Sequence, residues 1–140
     1  KKRRRKNKSV SHVERLICYI GTLIQRMMEE YAVIMRHQDG KSVASPEQIQ
    51  VWMEQTMAWI KTMADQGKFV SGTGLLFQDA CVVHHKGLVT QGPFGDIKET
   101  LGGLVVIKAA SLEEAVAFAK GSPVLQGEGN TVEVRRIATK

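Results

Sequence analysis

Two short runs hold the side chains best suited to chemistry. The first is Arg36-His37-Gln38-Asp39. Imidazole is the side chain whose charge changes near neutral pH, so His37 is a candidate general base, and a carboxylate two residues on, Asp39, could orient it or hold its positive form. Arg36 could anchor an anionic ligand by paired hydrogen bonds, or pair with a neighbouring carboxylate. The second run is Gln91-Gly92-Pro93-Phe94-Gly95-Asp96-Ile97-Lys98-Glu99. Glycine and proline fix a turn there, with Phe94 as an aromatic plug or a ligand contact. A turn that re-aims the chain could bring Lys98 or Glu99 over a pocket, although a mixed charge run is also what a solvated surface looks like. Gln91 can hydrogen-bond but cannot exchange a proton.

Other chemistries find no support. His84 and His85 are adjacent in a β-prone run, so they point to opposite faces and make a poor metal pair. Cys18 and Cys81 lack metal spacing and a CxxC partner, which predicts no zinc, inert and partly buried thiols, and a cytoplasmic location. Ser71-Gly72-Thr73-Gly74 fails as a nucleotide loop because Phe77 stands where the third glycine belongs. With no Walker lysine, nucleophile elbow or HExxH motif, no cofactor is expected.

These residues must be positioned by alternating strand and helix signals. Tyr31 to His37 is a β-prone run closed by Asp39 and Gly40. Ser45-Pro46-Glu47-Gln48 supplies an N-cap hydroxyl and a proline in the first turn, and Gly67 suits a left-handed exit, so a helix lies between them. Ile49, Trp52, Met53, Ile60 and Met63 share one face of it. Trp52, Trp59, Met53, Met57 and Met63 read as core side chains rather than a cofactor box. "KFVSGTGLLF" reads as a glycine-interrupted strand, and "CVVHH" with "LVTQ" flanks Lys86-Gly87 as a hairpin. Leu104 to Ile107 are apolar without a break, as in a central strand. Ser111 and Glu114 open a second helix whose apolar side is Leu112, Ala115, Val116 and Ala119. "TVEVRRI" closes the chain with Val132 and Val134 alternating. The order βαβ(β)βαβ predicts an α+β fold, with two helices on one face of a mainly antiparallel sheet.

The other sheet face carries apolar side chains that must also leave water. Burying several hundred Å² at ~25 cal/mol per Å² is worth on the order of 10 kcal/mol, so a second copy is the predicted cover and a homodimer the expected state.

Charge is uneven along the 140 residues. Residues 1–27 hold nine of the 20 Lys and Arg against Glu14 alone, so they carry +8 and leave −2 for the rest of a chain of net +6. A slightly acidic body offers nucleic acid no extended basic face. Val10, Val13, Ile17, Ile20, Ile24 and Met27 draw an apolar stripe down a helix. The nine-residue LICYIGTLI is too short to span a bilayer, so no transmembrane segment is expected, and adhesion to a membrane surface is one reading. A partner-binding helix is another. A third is that Met27 or Met28 is the start and the residues before it are upstream or non-native sequence, and a fourth is targeting or nucleic-acid binding through the basic tail. The predicted division is an extension over 1–27 and one domain over 28–140.

Taken in order and spacing, "SPEQIQVWMEQTMAWIKTMADQGKFVSGTGL", "LVTQGPFGDIKETLGG", "VVIKAASLEEAVAFAKGSP" and "VEVRRI" resemble the YCII-related family, in the branch named for a DGPF tetrapeptide. The resemblance implies a ferredoxin-like fold and a dimer of the α+β barrel type. It also implies a family largely without assigned reactions, inside a superfamily that includes isomerases, dehydratases and cofactor-independent oxygenases. Two departures stand out: Gln91 replaces the family's Asp, and Arg136 stands where proline is usual. Two functions fit. One is a dimeric enzyme acting on a small polar or anionic ligand, with His37 as base, Asp39 orienting it and Arg36 or Lys98 stabilising negative charge. The alternative is a non-catalytic dimeric ligand-binding or interaction module, which Gln91 favours.

Overall fold

The computed structural model describes residues 11–38, 45–76, 79–92 and 99–138. Two capping motifs set the helices of the domain. Ser45 Oγ accepts the Gln48 N–H at 3.2 Å, with Pro46 in the first turn, and opens a 19-residue helix. Element α1 (His12–Arg26) precedes it, so it is α2 (Pro46–Ala64). It ends where Gly67 turns the chain with φ 66°, a conformation that costs glycine nothing. Ser111 Oγ likewise accepts the Glu114 N–H and opens α3 (Leu112–Ala119).

Between and around them lie β1 (Glu29–Gln38), β2 (Phe69–Gly74), β3 (Cys81–Val83), β4 (Val89–Gln91), β5 (Glu99–Ala109) and β6 (Thr131–Arg136). The main sheet has the order β2-β5-β1-β6, with every neighbouring pair antiparallel. Strands β3 and β4 form a separate ribbon that turns through Lys86 and Gly87, at φ 66° and 85°. Removing that ribbon leaves βαββαβ, the α+β ferredoxin-like arrangement, with β5 central as its unbroken apolar run predicts.

Register explains the core. Val33 on β1 stands opposite Val105 on β5 and Val134 on β6, and Tyr31 stands opposite Ile107. Facing residues of antiparallel strands point the same way, so these side chains form one surface. Trp59 and Met63 from α2 and Ala115 and Ala119 from α3 close it. Lys68 crosses from the start of β2 to Glu114, lies 5.2 Å from the centre of the Phe118 ring, and so ties α3 to the sheet. Glu114 also accepts the Ala110 N–H at 2.7 Å, and these partners hold its carboxyl below the usual carboxylate range, the Lys68 hydrogen bond most of all.

Three expectations need correction. Trp52, Met53 and Met57 are not core: Trp52 is 43% and Met53 63% exposed, because α2 is buried only through its second half. Ile49 belongs to the same expected stripe, and its side chain lies outside the described residues. On α3, Leu112 is exposed and Phe118 packs on the core instead. Cys18 and Cys81 are free and exposed, not partly buried. None of the described helices is long and apolar enough to cross a membrane.

On the sheet face away from the helices, Ala32 and Ile34 of β1 lie beside Val106 and Leu104 of β5, all half-buried. Arg36 and Glu133 cross the same face as an ion pair at 3.0 Å. Arg136 pairs with Glu29 at 2.6 Å.

Candidate functional site

The end of β1 meets the beginning of β5 with His37 opposite Thr100 and Gln38 opposite Glu99. Met35 stands opposite Gly103 but Arg36 opposite Leu101, so β5 holds one extra residue, Gly102, in a bulge. His37 lies directly against that residue. A Cβ on Gly102 would sit 2.2 Å from His37 Cδ2 and 2.3 Å from Nε2. One on Gly103 would sit 2.9 Å from Met35 Cε and 3.0 Å from the Thr73 carbonyl oxygen. The double glycine is therefore the floor on which Met35 and His37 lie.

Burial also sets the protonation of this imidazole. Desolvation penalises the charged form and pushes the His37 pKa below its ordinary value. Burial thus favours the neutral ring, the form that can accept a proton. The neighbouring backbone is held from the other side: the Gln38 N–H donates to Asn130 Oδ1 at 2.9 Å, and Asn130 Nδ2 donates to the Val124 carbonyl at 2.9 Å. Thus Asn130 fixes the end of β1 to the loop before β6.

The other candidates are dispersed. Arg36 follows the alternation of β1 onto the opposite face from His37, where Glu133 takes its guanidinium. Gln91 is exposed at the end of β4, paired with Cys81 in the separate ribbon. Gly92, at φ 80°, follows it and donates to the Ala80 carbonyl at 2.7 Å. Glu99 is described as backbone only, opposite Gln38. Asp39, Phe94 and Lys98 lie outside the described residues. His84 Nε2 is 2.8 Å from Thr90 Oγ1 on the hairpin, and His85 is exposed in its turn. Among the described residues no group of three or more His, Cys, Asp or Glu could hold a metal ion. Residue types alone singled out His37 and missed Thr100, Gly102 and Asn130. The glycine pair was the one signal in the sequence that could have pointed to them.

With that geometry in view, the chain matches the YCII-related domain over residues 30–138. It belongs to the YCII-related family. The match runs from β1 through β6, takes in His37, Gly102 and Asn130, and leaves out α1. A comparison with curated proteins gave no match.

Proposed function

We propose that this YCII-related protein is a homodimeric enzyme that binds a small polar or anionic molecule beside the ends of β1 and β5, where His37 acts as general base without a bound cofactor. The observation that carries the reading is the half-buried imidazole of His37, kept neutral by desolvation and seated on Gly102. A base needs a pKa near or below the working pH and a fixed position, and these two features serve both needs. Arg36, engaged with Glu133 across the sheet, has no part in this step. Asp39 as orienting carboxylate, and Phe94, Lys98 and Glu99 as ligand contacts, complete the proposal from the sequence.

A panel of small polar and carboxylate-bearing metabolites, screened first by thermal shift and then for turnover, tests it. His37→Gln should keep the ligand-induced shift and lose turnover by about 100-fold, the usual worth of a positioned base. Turnover that survives His37→Gln would refute the assignment. Gln91 favours a second reading, a binding module without catalysis, because the family's acidic residue is missing there. That reading predicts ligand shifts, no turnover, and no activity gained by Gln91→Asp.

The half-buried apolar strip of Ala32, Ile34, Leu104 and Val106, which neither α2 nor α3 covers, supports the dimer. Sedimentation should give two chains per particle. Ile34→Arg should weaken association by at least ~10-fold, since burying a cation in an apolar interface is strongly unfavourable, and a wild-type monomer at high concentration would remove this part of the proposal.

A further inference from the structure

Helix α1 lies outside the family match, and nothing in the reading above uses it. It is nonetheless built to persist. Its start carries a reciprocal capping box, in which the Ser11 N–H donates to Glu14 Oε2 at 2.7 Å and the Glu14 N–H to Ser11 Oγ at 3.2 Å. Every position from 11 to 23 is exposed. At 100° per residue, Val13, Leu16, Ile17, Ile20 and Leu23 gather on one broad side, with Tyr19 at its edge. Glu14, Cys18, Gly21 and Thr22 occupy the other. The apolar side stands in water, with Val13 64%, Ile17 65% and Ile20 46% exposed. Seven of the first eight residues are Lys or Arg, while the chain after residue 27 is net negative.

Apolar breadth and charge together select the occupant. A phosphate backbone would use the basic block and leave five aliphatic side chains in water. A coiled-coil partner would use a narrow seam, not so wide a sector, and gains nothing from the basic block. An anionic bilayer surface satisfies both: the acyl boundary takes the aliphatic side and the headgroups take Lys1 to Lys8. We infer that α1 lies in the plane of an anionic lipid surface, its apolar side inserted and the preceding basic block on the headgroups, so that the YCII-related domain is held at a membrane.

Co-sedimentation of the full chain with phosphatidylcholine vesicles, with and without phosphatidylserine, tests this. The protein should pellet with the anionic vesicles, remain in solution with neutral ones, and release as salt is raised. Ile17→Asp combined with Ile20→Asp should lower vesicle affinity by at least ~10-fold, since two apolar side chains leave the acyl boundary. Both positions are exposed, so the far-ultraviolet circular dichroism of the domain should be unchanged. Neutralising Arg3, Arg4 and Arg5 to Gln should lower affinity by a similar ~10-fold through lost headgroup attraction. The inference is overturned if wild type ignores anionic vesicles, or if binding survives the Ile17 and Ile20 changes. It is equally overturned if those changes only dissociate an oligomer, or if the tail retains an oligonucleotide but no vesicle.

Discussion

Trp59→Ala is expected to cost about 3–5 kcal/mol, the range for a large buried aromatic, and a large part of the ~5–15 kcal/mol that holds a domain of this size. Among the described residues of α2, Trp59 and Met63 are the buried ones that it contributes to the core. The Trp59 indole also does two things that an aliphatic side chain could not. Its Nε1–H donates to the Phe118 carbonyl at 2.9 Å, which ties α2 to the end of α3. Its Cδ1 would lie 3.2 Å from a Cβ on Gly121, so the ring fills the space that this glycine leaves. Alanine removes the packing and the hydrogen bond between α2 and α3, leaving the Phe118 carbonyl with only the Gly121 N–H at 3.0 Å. Trp59→Phe separates the two effects: most of the apolar area stays, and the lost hydrogen bond should cost about 1 kcal/mol. Trp52→Ala is the control, expected within about 0.5 kcal/mol of wild type because Trp52 is exposed. Urea denaturation of the three variants gives the comparison. A loss below ~1 kcal/mol for Trp59→Ala would mean that α2 is held by something other than this anchor.

The contrast between Trp59 and Trp52 shows what the sequence could and could not convey. Caps are local, so Ser45, Pro46, Ser111 and Glu114 announced both helices. Periodicity is local too, and it gave the direction in which an apolar face points. It does not show how far the sheet extends beneath that face, so it places Trp52 and Met53 in a core that α2 enters only later. The apolar run Leu104 to Ile107 marked a central strand because both of its faces are at least half-buried. His37 was legible from its type alone. Its seat on Gly102, the engagement of Arg36 by Glu133 and the hold of Asn130 on Gln38 were not, because each joins residues far apart in sequence. The opposite orientations of Arg36 and His37 needed only strand alternation, whereas the opposite faces expected of His84 and His85 do not apply, because β3 ends at Val83 and His85 lies in the turn.

Gly102→Ala should reach the proposed base without touching it. The φ of Gly102 is not in the left-handed region, so alanine meets no backbone penalty there, and the atoms nearest the new methyl are those of the His37 imidazole. At 2.2 Å from His37 Cδ2 the ring must move, and overpacking of this kind costs about 1–3 kcal/mol. Movement toward water relieves desolvation, so the pKa of His37 should rise toward its ordinary value in the variant, as nuclear magnetic resonance titration would record. The pH dependence of stability follows with a definite sign. In wild type the His37 pKa is depressed by folding, so the unfolded chain binds this proton more readily; its contribution to stability is whole above the ordinary value of about 6.5 and is lost as pH falls through the lowered one. In the variant that acid-side loss shrinks, and the stability gap from wild type should be widest near neutrality and narrow toward about pH 5.5. A double-mutant cycle isolates the cause. With His37→Ala in place there is no ring for the methyl to displace, and Gly102→Ala should then cost less than ~0.5 kcal/mol. Strictly additive costs in the two backgrounds would show that Gly102 serves the bulge of β5 rather than the seat of the imidazole, and the tie between the double glycine and the proposed site would be lost.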